Sequence, residues 1–283
     1  MKTIVVSGLG LIGSSIAGIM RQADQTVEII GCDPDDGTSQ FLLAKHIIDR
    51  RLSFSQAAPL ADLIVLAGPV SVIVNQIREL SAMSLKDHVL ITDVGSSKAD
   101  IMIAAKPLIA NQIAFLGGHP MAGSHQSGGQ AGRTELFTGA IYFLVSGSQT
   151  NAQLSEFRRL MAPAKVRWLE IGASEHDKLV SKVSHVPHVV ATTLVNTIAE
   201  SLASHPIGLE AAAGGFKDTT RIAASDPTMW TAIMLSNRDA ITEEIDDFKD
   251  QLAQLQTAIR NGDEQTIFQT FTKAKKIRES LDN

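Results

Sequence analysis

Two groups of residues in this chain have the types and spacing to do chemistry. The first is Gly117-Gly118-His119-Pro120-Met121-Ala122-Gly123-Ser124. A histidine set between a glycine pair and a proline is expected in a shaped turn, because Gly and Pro interrupt helix and strand alike. Its imidazole titrates near neutrality, so it can accept or polarise a proton. The second is Gly8-Leu9-Gly10-Leu11-Ile12-Gly13, which follows the β-branched run Thr3–Ser7 and opens a helical pattern. Gly8 permits a tight turn, Gly10 lets a pyrophosphate approach the backbone, and Gly13 lets the helix pack on the strand. Leu11 and Ile12 place backbone N–H groups at the positive end of that helix. Asp33 follows Gly13 by 20 residues, at the end of the next apolar run. A carboxylate there binds a ribose 2′-hydroxyl and repels a 2′-phosphate, which favours NAD over NADP. Pro69, after Gly68, ends another apolar run on the same side and is a further expected cofactor contact, with a plain loop turn as its alternative. Together the two groups indicate a nicotinamide enzyme with a histidine at the hydride-transfer site.

Three other segments carry candidates. In Asp93-Val94-Gly95-Ser96-Ser97-Lys98, the Ser96 hydroxyl could meet substrate or cofactor, and Ser97 is expected to cap a helix. In His185-Val186-Pro187-His188, a spacing of three brings both rings near one helix face at a proline kink. They are read as substrate-facing or interior histidines. No Cys, Asp or Glu completes a metal-ligand set with them, so no metal is expected. In Gly214-Gly215-Phe216-Lys217-Asp218-Thr219-Thr220-Arg221, Arg221 could hold a carboxylate by its planar fork or form a structural pair with Asp218.

These residues need elements to position them. Apolar runs at Thr3–Ser7, Val27–Cys32, Leu63–Ala67, Val89–Thr92, Ile113–Leu116, Ile141–Val145 and Val166–Ile171 read as strands alternating with helices. That pattern is an α/β Rossmann-type, doubly wound parallel sheet. After Gly172 the periodicity is helical throughout. The expectation is a dinucleotide-binding domain over 1–172 and an all-α substrate and dimerisation domain over 173–283, with Ser174 as the first helix cap. Ile241, Ile245, Phe248, Leu252, Leu255 and Ile259 form a heptad-like stripe expected to be the core face of a bundle helix. Gly262 stops that helix, and Asp263 caps the last one.

Composition narrows the classes. The 283 residues are 44 % apolar and 19 % charged, as in a folded chain, and the net charge of −5 argues against a nucleic-acid binder. Cys32 is the only cysteine, so no intrachain disulfide can form, which suits a reducing compartment. The first 20 residues resemble a signal peptide, but the glycine spacing and the βαβ unit that continues past Met20 oppose that reading. A cytoplasmic protein is expected, with no apolar run long enough to span a membrane.

Gly8–Gly13, Asp93-Val94-Gly95-Ser96, the His119 segment, His185–His188 and Gly215-Phe216-Lys217-Asp218-Thr219-Thr220-Arg221 occur in one order that resembles the prephenate/arogenate dehydrogenase family of tyrosine biosynthesis. The resemblance covers nearly the whole chain. It implies NAD-dependent oxidative decarboxylation of prephenate to 4-hydroxyphenylpyruvate by a homodimer joined through the helical domain, with the active site at the cleft between domains. It further implies that His119 accepts a hydrogen bond from the substrate hydroxyl and that Ser96 orients His119. Arg221 would bind a substrate carboxylate, and His188, with His185, the rest of the substrate. His125 stands where many members carry an acid, and it favours prephenate over arogenate. No regulatory domain is expected after the helical one. Three alternatives stay open: arogenate as substrate, a β-hydroxyacid-type dehydrogenase using Lys178 or Lys182, and an NAD-sensing binding protein without turnover.

Overall fold

The computed structural model describes residues 2–124, 126, 128–204 and 207–281; His125 lies outside them. The elements up to residue 170 are β1 (Thr3–Ser7), α1 (Leu11–Ala23), β2 (Glu28–Cys32), α2 (Asp36–Ala44), β3 (Arg50–Arg51), α3 (Phe54–Ala57), β4 (Leu63–Leu66), α4 (Val70–Leu80), β5 (Leu90–Asp93), α5 (Ala99–Ala110), β6 (Ala114–Pro120), β7 (Ile141–Ser146), α6 (Asn151–Leu160) and β8 (Arg167–Glu170). The strands form one sheet in the order β3-β2-β1-β4-β5-β6-β7-β8. Every pairing is parallel except β6 with β7. Alternate residues of a strand face opposite sides. Ile4 and Val6 therefore join one buried layer with Leu116 and Tyr142, and Val5 joins the other with Ile64 and Ile91.

The chain leaves β1 for β2 on one side and comes back to β4 on the other, so a crevice opens at the carboxyl ends of β1 and β4. The glycine turn, Asp33, Pro69, Ser96 and His119 all lie at that carboxyl edge of the sheet.

His119 is not in an irregular turn but in β6, opposite Phe143 of β7. The glycines that suggested a turn serve close packing instead. A Cβ on Gly118 would lie 2.5 Å from the Asp93 carbonyl oxygen, and one on Gly117 would lie 3.1 Å from Val145 Cβ. Pro120 is tolerated because β6 pairs there with β7 alone, β5 having parted at Leu116.

From residue 172 the described chain is helical: α7 (Ala173–Val180), α8 (Val186–Ser201), α9 (Gly214–Thr220), α10 (Pro227–Ser236), α11 (Arg238–Asn261) and α12 (Glu264–Glu279). Gly172, not Ser174, is the N-cap of α7, and it offers no side-chain acceptor. Ser181–His185 is π-helical and runs directly into α8, with Pro187 in its first turn. Proline has no N–H to donate, which is costless at a helix start.

Two compact units emerge, Met1–Asn237 and Arg238–Asn283. In the second, α11 packs on α12. The joint is Gly262 at φ +66°, followed by Asp263, whose carboxylate accepts the Thr266 N–H. The α11 stripe departs from expectation: Ile241 is buried, but Phe248, Leu252 and Ile259 are exposed.

Candidate active site

The cofactor side starts from the glycine turn. Gly8 has φ +90°, and a Cβ there would lie 2.7 Å from the Ala67 carbonyl carbon. Its N–H donates to the Cys32 carbonyl at 2.8 Å, while Ala67 N–H donates to the Ser7 carbonyl at 2.6 Å. The turn is therefore wedged between the ends of β2 and β4. A Cβ on Gly13 would collide with the Gly8 carbonyl oxygen at 1.8 Å, so α1 sits directly against the turn. Gly10 differs: a Cβ there meets nothing within 4 Å. The protein's own packing does not demand glycine at that position, whereas a phosphate approaching the backbone does. Gly10 is also the N-cap of α1 and offers no side-chain acceptor, which leaves the N–H groups of Leu11 and Ile12 without one. The cradle thus fits a dinucleotide pyrophosphate. Asp33 accepts the Leu9 N–H at 2.6 Å on one carboxylate oxygen and the Asp35 N–H at 2.8 Å on the other. Each oxygen keeps a second lone pair for a ribose hydroxyl. Pro69 is the exposed N-cap of α4, two residues beyond Ala67.

The histidine side is a chain of hydrogen bonds. His119 is buried, and its Nδ1 lies 2.9 Å from His176 Nε2. His176 Nδ1 lies 2.8 Å from Asp177 Oδ1. Asp177 also accepts the N–H groups of Lys98 (2.7 Å) and Ala99 (2.8 Å), so it caps α5. A carboxylate is an acceptor only. His176 therefore donates from Nδ1 and accepts at Nε2, and His119 must donate from Nδ1. His119 Nε2 is left as an unprotonated acceptor with no partner among the described residues. Burial, helped by His176, Lys98 and His185, holds His119 well below the ordinary imidazole range. It is a neutral base with its tautomer fixed.

A buried ion pair anchors the strand beneath it. Lys98 and Asp93 are fully buried and paired. Lys98 Nζ donates to the Gly118 carbonyl at 2.7 Å, and Asp93 accepts the Gly118 N–H at 3.1 Å. Both backbone groups of the residue before His119 are thus gripped. Burial lowers Lys98 from the ordinary lysine range against the pull of Asp93. Ser96 is half-buried, and its hydroxyl has no hydrogen-bond partner among the described residues; the hydrogen bond that orients His119 comes from His176. Ser97 caps nothing, since its hydroxyl is buried without a partner.

A second cluster gathers on Trp230. His188 stacks on its ring at 3.5 Å between centroids, and His185 meets it edge-on at 6.1 Å. His188 donates from Nδ1 to the Ser184 carbonyl at 2.9 Å, which leaves Nε2 open. His185 is enclosed, with Asn237 Nδ2 3.2 Å from its Nδ1. The same Asn237 amide donates to the Asp177 carbonyl at 2.8 Å and so ties the two clusters together. Arg221, just past α9, is exposed, and no Asp218 pair forms. Its charge contributes to holding His188 below the ordinary range, behind the larger effect of burial. His176, Asp177, Lys98, Asp93 and Trp230 are the site residues that reading the sequence missed or left without a role. Only the acid and lysine flanking Val94–Ser97 stood in a segment already singled out.

Residues 16–170 match the family description "Prephenate dehydrogenase, nucleotide-binding domain", and residues 172–273 match "Prephenate dehydrogenase, dimerization domain". The prephenate dehydrogenase of Lactococcus lactis subsp. cremoris is 40 % identical over 283 residues, covering 100 % of this chain and 78 % of that protein. That of Bacillus subtilis is 36 % identical over 281 residues, covering 99 % and 76 %. The crystal structure of prephenate dehydrogenase from A. aeolicus in complex with hydroxyphenyl propionate and NAD+ has a TM-score of 0.88 at 27 % identity, covering 99 % of this chain and 98 % of that one. The two family descriptions meet within two residues of Gly172 and span almost the whole chain, and relatives align along its full length: the chain belongs to the prephenate dehydrogenase family.

Proposed function

We propose that this chain oxidises prephenate with NAD, releasing carbon dioxide and 4-hydroxyphenylpyruvate. The observation that carries the reading is the open, unprotonated Nε2 of His119, set by His176 and Asp177. When bound, NAD accepts the hydride from the ring carbon that bears the hydroxyl. His119 Nε2 accepts the hydrogen bond from that hydroxyl and takes up the positive charge developing there. Asp177, one imidazole further on, stabilises that charge without moving. Loss of the ring carboxylate as carbon dioxide makes the ring aromatic, and the proton returns to the phenol oxygen. The guanidinium of Arg221, exposed and without an ion pair among the described residues, suits the fork-like binding of a substrate carboxylate. His188 Nε2 and the Ser96 hydroxyl are uncommitted groups for the remainder of the substrate. Leu11, Ile12, Asp33 and Pro69 would hold the cofactor.

The test is formation of reduced nicotinamide from prephenate and from arogenate, each with NAD and with NADP. Turnover of prephenate with NAD is expected. Preference for arogenate would move the substrate assignment and keep the chemistry. No turnover of either, with NAD still bound, would overturn the reading in favour of another substrate or a sensor.

The chain is further read as a homodimer joined through its helical part. Leu252, Ile259, Phe268 and Phe271 are 55 %, 60 %, 72 % and 64 % exposed on α11 and α12. So much aromatic and aliphatic surface is unusual on a monomer. Sedimentation should give the mass of two chains, and Phe271→Asp should shift it toward one; a monomer at micromolar concentration would reject the dimer. A cytoplasmic location suits its single, buried thiol. No helix among the described residues is long and apolar enough to cross a membrane.

A further inference from the structure

A guanidinium reaches the backbone of the residue expected to select the cofactor. Arg51 of β3 is in register with Gly31 of β2, so it flanks the end of β2 where Asp33 follows. Arg51 Nη2 lies 3.5 Å from the Asp33 carbonyl oxygen, and the side chain pairs with Asp36. That pair is worth little, because 37 % of the Arg51 side chain and 69 % of the Asp36 side chain face solvent. The other acids nearby make their hydrogen bonds elsewhere, although Asp35 also feels the Arg51 charge. Asp35 caps α2, accepting the N–H groups of Gly37 at 3.1 Å and Thr38 at 3.2 Å. Asp33 shapes the glycine turn through Leu9. A phosphate dianion is a stronger, bidentate partner for guanidinium than an exposed carboxylate.

We propose that Arg51 is a second cofactor-selecting residue, a ready contact for the 2′-phosphate of NADP that Asp33 outweighs in this chain. The proposal rests on the reading of Asp33 as the ribose 2′-hydroxyl acceptor. The preference for NAD then depends on one opposing charge, in a site that already holds the cation the other cofactor needs.

The experiment is a binding titration of the full chain with NADH and with NADPH, followed by the fluorescence of the reduced nicotinamide. Asp33→Asn keeps an acceptor for the Leu9 N–H and removes the charge. It is expected to tighten NADPH by about tenfold or more while changing NADH less. Adding Arg51→Ala should cancel most of that gain. A gain that survives Arg51→Ala overturns the role of Arg51 and leaves Asp33 in place. An unchanged NADH-to-NADPH ratio in Asp33→Asn removes Asp33 from the ribose site and the proposal with it. Asp36→Ala, which leaves the glycine turn untouched, should free Arg51 and tighten NADPH by a few-fold, roughly threefold. NADPH binding equal to that of the unaltered chain would overturn the proposal even if Asp33→Asn binds neither cofactor.

Discussion

The surroundings of His119 and those of Arg221 use their polar groups in opposite ways. Around His119, the Nδ1 nitrogen, both His176 nitrogens, both Asp177 oxygens, and the Lys98–Asp93 pair all bond to other parts of the protein. One lone pair is left over. Around Arg221, the guanidinium is exposed and has no hydrogen bond or ion pair among the described residues, and His188 keeps a nitrogen without a partner there beside the Trp230 face. The first arrangement is complete before substrate arrives, as electrostatic stabilisation of a transition state requires. In the proposed reading the second gains its partners from the substrate, as binding of a charged ligand requires. Loss of a group should therefore strike rate and fold in the first region and affinity in the second.

The largest break is expected at His119. His119→Asn should lower kcat on the order of 10²- to 10⁴-fold, with NADH binding in a fluorescence titration unchanged. Retained turnover would sink the proton-acceptor role. Next is Lys98→Met, which leaves Asp93 buried without its cation. Urea unfolding should show a loss of about 3–5 kcal/mol, and Lys98→Met with Asp93→Leu should recover part of it. A variant as stable as the unaltered chain would mean that the pair does not anchor Gly118. Arg221→Ala is milder and different in kind. KM for the substrate should rise about 10- to 100-fold, with kcat altered less; a fall in kcat alone would place Arg221 in the chemistry.

The smallest effect sharpens the contrast through pH. His119 must be neutral to accept a proton, and its environment lowers it from 6.5. The acid limb of kcat/KM should therefore fall below pH 6.5. The unfolded chain takes up that proton at its ordinary value while the folded one resists, so stability should also decline as pH drops below 6.5. Burial pushes His185 down to about 4, so it stays neutral over the same range. An acid limb at or above 6.5 would assign the base to another group.

The cofactor cradle and the His119 network were unequally legible in the sequence. The glycine turn and Asp33 could be read because their spacing is dictated by local backbone geometry, and the strands because apolar runs must be buried. The network around His119 has no such local signature. His176 lies 57 residues from His119, and only the docking of α7 against the sheet joins them. Asp93 and Lys98 are five residues apart, yet what they hold, Gly118, is a further 20 residues on. The Gly-Gly-His-Pro string was read as a turn because both residue types break strands in isolation. Tertiary packing reverses that reading, since only glycine fits against Asp93 and Tyr142. The α11 stripe misled similarly: periodicity shows that a face is apolar, not what covers it.

Past Leu116, β6 is held on one side by β7 and on the other by the grip of Asp93 and Lys98 on Gly118. The Gly118 amide points into a sealed carboxylate rather than into a ladder that can fray at the edge. Its deuterium exchange should thus wait for the whole sheet to open. Heating would not wear His119 loose ahead of the fold; if it is the base proposed above, catalytic inactivation and global melting should coincide on one curve.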